Sequence, residues 1–266
     1  MVKVVIIGAA GRMGQALVRG ARRLESVLVA GAVERADCPA LGKDAGLLAG
    51  EGEMGIAIVS DLSATAAKGD VLIDFSFHAA VPTNVRAAVE LRKAMVIGTT
   101  GLTPEEKAVL VEAAKRIPIV HAPNMSLGGN LLFSLVREAA RVLGQDYDCE
   151  IVEVHHRFKK DAPSGTALRL AEKAAEGRGQ DLKAVAVYGR EGITGERPRG
   201  QIGIHALRCG DVVGDHTVEF STLGERVQLT HRATSRDCLA TGALKAAEWV
   251  AGRAPGLYDM QDVLGV

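Results

Sequence analysis

Val2-Lys3-Val4-Val5-Ile6-Ile7-Gly8-Ala9-Ala10-Gly11-Arg12-Met13-Gly14 decides the fold. Its opening β-branched run reads as a strand buried on both faces. Glycines 8, 11 and 14 then mark a turn, Met13 to Leu24 carries helical spacing, and Val27 to Val33 is apolar again, which completes a βαβ unit. At such a turn, glycines let the backbone approach a pyrophosphate that the helix N-terminus then holds. Gly8, Ala9, Ala10, Gly11, Arg12, Met13 and Gly14 are therefore candidate dinucleotide-binding residues. Their glycines are spaced three and three, a variant of Gly-x-Gly-x-x-Gly. Glu34 ends the second strand twenty positions after Gly14, where an acidic side chain accepts hydrogen bonds from the adenosine ribose hydroxyls. Arg35 can face the 2′-phosphate of the phosphorylated cofactor, so the pair is compatible with NADH or NADPH. A solvated loop cation is the competing reading of Arg35.

The alternation continues through Val71 to Phe75, a helix near Val81 to Leu91, and Met95 to Ile97. Thr103-Pro104-Glu105-Glu106 forms a capping box that opens a helix to Lys115, and Ile117 to Val120 supplies a further strand. Apolar strands separated by helices imply a parallel sheet covered on both sides, hence an α/β, Rossmann-type, doubly wound domain. Two loops follow strands of that sheet. Gly98, Thr99 and Thr100 in one, and Ala122, Pro123, Asn124 and Met125 in the other, are expected to line the nicotinamide end, with ordinary turn chemistry as the alternative. Beyond about Ser126 come a long helix to Leu143, the strand Cys149 to Val154, and alternating runs at Gln201 to Leu207, Thr217 to Thr222 and Arg226 to Thr230. These look antiparallel or mixed and imply a second, α+β domain with a mixed open sheet. From Arg236 the tail is helical again, with Leu239, Ala243, Ala246, Trp249 and Val250 on one face, and is expected to pack back on the first domain. The expected organisation is residues 1–126 with 236–266 as a dinucleotide-binding domain and 127–235 as a substrate-binding and oligomerisation domain. Closure about hinges near Ser126 and Arg236 is expected as ligands bind.

Lys plus Arg equals Asp plus Glu at 32 each, so there is no basic surplus of the kind that nucleic acid or an anionic membrane favours. The sequence contains no apolar run long enough to span a bilayer. Cys38, Cys149, Cys209 and Cys238 lie far apart with no Cys-x-x-Cys pair, and the N-terminus begins a strand instead of a signal peptide. A reduced, cytoplasmic protein with a small-molecule partner and no metal is expected.

Residues 153–168 carry the chemistry: Glu-Val-His-His-Arg-Phe-Lys-Lys-Asp-Ala-Pro-Ser-Gly-Thr-Ala-Leu. His155 and His156 leave the C-terminal end of a strand, where open α/β sheets bind ligands. Pro163 and Ser164 open a helix whose first N–H groups, at Gly165 and Thr166, suit a carboxylate or phosphate. Together with Lys159 and Lys160 this reads as an anion pocket with proton donors. The bland alternative is a solvated or core histidine beside a basic surface.

With these residues in view, the chain resembles the 4-hydroxy-tetrahydrodipicolinate reductase (dihydrodipicolinate reductase) family of the diaminopimelate route to lysine, over essentially its whole length. The resemblance rests on Glu153-x-His155-His156-x-x-Lys159-x-Asp161-Ala162-Pro163-Ser164-Gly165-Thr166-Ala167, the glycine turn, Gly98-Thr99-Thr100 and Pro123-Asn124. Arg199-Gly200-x-Ile202-Gly203, Gly210 to His216, Thr230-His231-Arg232-Ala233 and Ser235-Arg236 extend it. Met125, where phenylalanine is common, and His78, where proline often stands, depart from it on the cofactor side. The resemblance implies hydride transfer from NADPH or NADH to a cyclic, unsaturated dicarboxylate with loss of water, giving tetrahydrodipicolinate. It implies His155 as general acid/base, Lys159 as proton donor, and His156 with the Gly165-Thr166 backbone as carboxylate ligands. Protonation by a histidine suits the electron density that hydride addition leaves on such a ring. Arg157 and Lys160 are taken as outlying charges, and His121, His205 and His231 as structural, cofactor or interface residues. A homotetramer formed through the second domain's sheet is also implied. Two competitors share the first domain: another nicotinamide dehydrogenase of amino-acid metabolism, such as a homoserine or aspartate dehydrogenase, and a non-enzymatic dinucleotide-sensing regulator. Neither requires the His-His-x-x-Lys and Ser-Gly-Thr set, and the regulator predicts a basic DNA-binding helix pair that is not evident.

Overall fold

A computed structural model describes residues 1–266 and divides them into two compact units, Met1–Leu127 with Arg236–Gly265, and Gly128–Ser235 with Val266. The first unit runs β1 (Val2–Ile7), α1 (Arg12–Arg22), β2 (Val27–Val33), α2 (Ala45–Ala49), β3 (Ile58–Val59), α3 (Leu62–Ala66), β4 (Val71–Asp74), α4 (Val81–Glu90), β5 (Ala94–Ile97), α5 (Pro104–Ala113) and β6 (Pro118–His121). The seven strands of its sheet, including β12 (Gly256–Tyr258) from the tail, are all parallel in the order β12-β6-β5-β4-β1-β2-β3. The chain therefore winds outward from β1 in both directions, and the glycine turn leaves β1 where the order reverses. Successive strand residues point to opposite faces. Val4, Ile6, Ile73 and Val96 enter one buried cluster, while Val5, Ile7, Leu72 and Met95 enter another. This accounts for the unbroken apolar runs.

Thr103 and Glu106 form the expected capping box: Thr103 Oγ1 accepts the Glu106 N–H at 3.2 Å and Glu106 Oε2 accepts the Thr103 N–H at 2.8 Å. Such a cap contributes about 1 kcal/mol. The chain re-enters this unit as α9 (Asp237–Val250), which packs on α1, and ends with α10 (Met260–Leu264). Trp249 is half-buried against the core, edge-on to Tyr258 with Arg253 over its ring.

The second unit contains most of α6 (Leu127–Leu143), then β7 (Asp148–His155), α7 (Gly165–Gly177), α8 (Leu182–Val185), β8 (Ala186–Tyr188), β9 (Ile202–Arg208), β10 (Gly214–Thr222) and β11 (Glu225–Ala233). Its sheet is mixed, in the order β11-β10-β7-β9-β8. Leu132, Phe133 and Val136 of α6 and Leu170 and Ala174 of α7 share a core with Cys149 and Ile151 of β7 and Val218 and Phe220 of β10. One face of the sheet is thus covered by helices. On the other face, Glu150, Val152 and Val154 of β7 are only half-buried. No helix is long and apolar enough to cross a membrane.

Candidate functional site

In the first unit the glycine turn is specified by close approach. Gly8 has φ 82°, and a Cβ there would lie 2.5 Å from the Phe75 carbonyl oxygen. A Cβ on Gly14 would lie 2.3 Å from the Gly8 carbonyl oxygen, so neither position admits a side chain without backbone movement. Gly11 is the N-cap of α1 and supplies no side-chain cap, so the first turn keeps the donors an anion needs. Glu34 Oε1 accepts the Ala10 N–H at 3.0 Å, which ties the end of β2 to the turn. Arg35 pairs with Asp37 at 3.1 Å, both side chains being mostly exposed. A cavity of about 690 Å³ is lined by Gly8, Gly11, Glu34, Arg35, Phe77 and Asn84, among others. Backbone cradle, uncapped helix start and strand-end carboxylate together fit a dinucleotide.

The loops after β5 and β6 are partly committed to their own architecture. Asp74 is fully buried at the end of β4; it accepts hydrogen bonds from the Ser76 N–H (2.9 Å), Ser76 Oγ (2.7 Å), Thr99 Oγ1 (3.0 Å) and Asn84 Nδ2 (2.8 Å). Thr99 therefore turns its hydroxyl inward and fastens the β5 loop to the β4 loop. Gly98 makes room for the Phe75 ring, whose nearest atom would be 2.2 Å from a Cβ there. Met125 buries its side chain in the core, whereas Thr100 and Pro123 are exposed. Asn124 Oδ1 accepts the Ser126 N–H at 2.8 Å. Sequence reasoning did not single out Asp74 or Asn84; an acidic residue closing an apolar strand was the available signal.

In the second unit strand periodicity builds the site. Cys149, Ile151, Glu153 and His155 alternate onto the buried face of β7, so the apolar core gives way to a carboxylate and then an imidazole. The strand runs one residue further than expected and includes His155. Glu153 is wholly buried, and Arg208 grips it with Nη1 at 2.9 Å from Oε2 and Nη2 at 3.0 Å from Oε1. His155 Nδ1 lies 2.5 Å from Glu153 Oε2, and the Ser164 N–H donates to Glu153 Oε1 at 3.0 Å. Burial alone would push this carboxyl up; the Arg208 fork, the His155 ring and the Ser164 N–H outweigh it and hold it below the usual carboxylate range.

Ser164 caps α7 through Oγ, which accepts the Ala167 N–H at 3.2 Å and lies 3.0 Å from His216 Nε2. His216 stands opposite Glu153 on β10, its ring edge-on to His155 with centroids 5.1 Å apart. Burial, then the neighbouring His155, pull His216 down to about 4. Lys159 donates to both oxygens of Asp161 at 2.9 Å, the larger part of what lowers the Asp161 carboxyl. His156 is half-buried and close to Phe158, its buried Nδ1 without a hydrogen-bond partner. A Cβ on Gly165 would meet nothing within 4 Å, so the start of α7 is open. Arg157 and Lys160 are exposed. Arg208 and His216 were not picked out individually as site residues; the register of β9 and β10 against β7 brings them in.

On the other face, Glu150 accepts from Arg190 (2.8 and 3.0 Å), Arg197 (2.8 Å) and His205 (2.6 Å). These bonds outweigh burial and hold its carboxyl at about 2. They tie the irregular segment between β8 and β9 to the sheet and give His205 a structural partner.

The chain was compared with known proteins. Residues 2–125 match the family model described as dihydrodipicolinate reductase, N-terminus, and residues 128–264 match dihydrodipicolinate reductase, C-terminus. The 4-hydroxy-tetrahydrodipicolinate reductase of Anaeromyxobacter dehalogenans strain 2CP-1 is 56% identical over 266 residues, covering 100% of this chain and 98% of the relative. That of Geobacter metallireducens is 52% identical, with 100% of both chains covered. A dipicolinate-bound dihydrodipicolinate reductase structure from Paenisporosarcina sp. TG-14 superposes with a TM-score of 0.77 at 25% identity, covering 98% of each chain. With both halves matched by their family models and full-length relatives above half identity, the chain belongs to the dihydrodipicolinate reductase family.

Proposed function

We propose that this chain is an NAD(P)H-dependent 4-hydroxy-tetrahydrodipicolinate reductase, which reduces the unsaturated cyclic dicarboxylate with loss of water to tetrahydrodipicolinate. Bound NADH or NADPH supplies the hydride. Gly8 to Gly14 and the start of α1 hold its pyrophosphate, and Glu34 with Arg35 hold the adenosine ribose end. Gly98 to Thr100 and Ala122 to Met125 form the wall at the nicotinamide end, largely through backbone, since Thr99 and Met125 spend their side chains internally.

The substrate is a dianion, and the second unit offers what a dianion needs. His156 and the Gly165-Thr166 backbone at the open start of α7 bind carboxylate. Lys159 adds positive charge and serves as proton donor, and His155 is the general acid/base that protonates the ring after hydride arrives. The observation that carries this reading is the cluster at the end of β7, where an imidazole on a buried carboxylate adjoins a helix start with open space at Gly165. On this reading residues 1–126 with 236–266 are the dinucleotide-binding domain and 127–235 bind substrate and oligomerise. The sheet face without helices, where Val152 and Val154 are only half-buried, supports a homotetramer, and a biosynthetic reductase of this kind acts in the cytoplasm.

The test is loss of reduced-cofactor absorbance with freshly generated substrate, run on the wild type, His155→Ala and Lys159→Ala. Turnover by the wild type and a loss of about 10²–10⁴-fold in kcat for His155→Ala are expected. Unchanged activity in both variants removes the site assignment; no wild-type turnover removes the reaction.

A further inference from the structure

Glu153 lies against His155, but nothing in the reaction so far gives it a task. Its two oxygens receive four contacts: Ser164 N–H and Arg208 Nη2 on Oε1, His155 Nδ1 and Arg208 Nη1 on Oε2. A carboxylate has about four acceptor sites, so none is left for water, and the residue is fully buried. The backbone amide and the guanidinium are obligate donors, so Glu153 sits among them as an ionised, acceptor-only group. The imidazole nitrogen against Oε2 must then be the one that carries hydrogen. With Nδ1 committed as a donor, the nitrogen that gains and loses a proton is Nε2. Gly214 stands beside that nitrogen: a Cβ there would come to 3.0 Å from it, so glycine keeps a side chain off Nε2.

We infer that Glu153 is a positioning residue that fixes His155 in its Nδ1–H tautomer, leaves Nε2 as the proton-transfer atom, and ties that choice to the placement of the α7 start. The inference rests on the reductase reading for its consequence in turnover, but not for the tautomer. One carboxylate aligns the imidazole through Oε2 and holds Ser164, the N-cap of α7, through Oε1, so acid and carboxylate site keep one mutual geometry. Arg208 completes the clamp. It also donates to the Asp161 carbonyl at 2.6 Å, which fastens the loop between β7 and α7 to β9. An orienting group behind a histidine commonly fixes which ring nitrogen reacts and stabilises the imidazolium.

Two measurements on the full-length protein decide it. In wild type, ¹⁵N-detected histidine spectra at a pH where the ring is neutral are expected to show His155 as the Nδ1–H tautomer. In Glu153→Gln one oxygen becomes an NH2: toward Ser164 and Arg208 it sets donor against donor, so the amide turns it toward His155, where it can only donate to Nδ1, and the lock is lost. A mixed or Nε2–H population is expected, with kcat lowered about 10–100-fold and NADH affinity by calorimetry within about twofold of wild type. A merely structural role for Glu153 moves the melting temperature but not the tautomer. An Nε2–H ring in wild type, or a folded Glu153→Gln that turns over within about twofold of wild type, overturns the inference. If the variant does not fold, the wild-type spectrum alone decides. Absence of wild-type turnover counts against the reductase reading, whereas the wrong tautomer counts against Glu153.

Discussion

The glycine turn of the first unit and the histidine cluster of the second both stand at the end of a β-strand followed by a helix, yet they are built in opposite ways. The turn works by what it lacks. At Gly8 and Gly14 the space a side chain needs is filled by backbone of the turn itself or of the β4 loop, and the groups offered to a ligand are peptide N–H donors. The cluster works by what it carries: a buried carboxylate, two imidazoles, a guanidinium and a serine hydroxyl, each with a named partner. A steric site should be sensitive to added volume and indifferent to pH. A charged site should tolerate volume where it is open and respond sharply to protonation.

The largest expected effect tests the volume half of that contrast with one substitution in each helix start. Alanine normally stabilises a helical position over glycine by about 1 kcal/mol. At Gly14 the new methyl would lie 2.3–2.5 Å from backbone atoms of Gly8 and Ala9, so Gly14→Ala is expected to destabilise by about 2–3 kcal/mol and to abolish measurable dinucleotide binding. At Gly165 nothing stands in the way, and Gly165→Ala is expected to be neutral or stabilising by up to about 1 kcal/mol. Urea midpoints of the two variants decide it. Equal loss in both would mean that the start of α7 is as tightly packed as the turn.

The same contrast explains what could be read from sequence. The turn was legible because its cause is local: one strand, one helix and glycines at fixed spacing, with Glu34 one strand away. His155, His156 and Lys159 were legible because they crowd into one segment. Partners supplied by register were not singled out. Arg208 and His216 lie on β9 and β10, more than fifty residues from Glu153 and Ser164 respectively, and only strand pairing brings them in. Asp74 and Thr99 are 25 residues apart, and their bond makes part of the Gly98 loop structural where exposed cofactor-facing polar groups were expected. Short elements such as α2 and α3 are five residues each, too brief for a period, although Asp44 and Asp61 cap them. The segment tied down by Glu150 has no period at all, and its fastening is a charge cluster drawn from three separate stretches.

The protonation half of the contrast turns on His216. Its folded value of about 4 lies below the ordinary 6.5, so between these limits the unfolded chain binds a proton that the folded chain refuses. Stability therefore falls as pH drops from about 6.5 to about 4, by about 3 kcal/mol in all, and this contribution is flat below that. Glu150 acts in the next window down: its lowered carboxyl stabilises above about 4.5, and that contribution is lost as pH falls toward about 2. His216→Asn loses the Ser164 contact and should be about 1 kcal/mol less stable than wild type at pH 7.5. The gap should close and reverse as pH approaches 4. Parallel denaturation curves for the two proteins across this range would refute the assignment.

Arg35 adds a positive charge, beside the Glu34 carboxylate, to a region otherwise built from backbone. Its partner Asp37 is equally exposed, so the pair adds little to stability. Arg35→Ala is expected to leave the urea midpoint unchanged and to weaken NADPH about tenfold more than NADH by calorimetry, because only the former presents a 2′-phosphate. An equal change for both cofactors would assign Arg35 to the solvated surface.

The smallest expected effect separates two uses of Lys159. Its ammonium is bidentate on Asp161, an arrangement that either parks the charge until a dianion arrives or holds it in position. Asp161 is largely exposed, so breaking the pair should cost less than about 1 kcal/mol of stability. If the pair is a parking place, Asp161→Asn removes a competing negative charge from the anion pocket. KM for the dicarboxylate then falls, by up to about fivefold for an interaction of roughly 1 kcal/mol near a surface, with kcat little changed. A rise in KM accompanied by a fall in kcat would mean that Asp161 positions Lys159, and the cluster would then contain a second carboxylate acting on a proton donor, this one in solvent where Glu153 is buried.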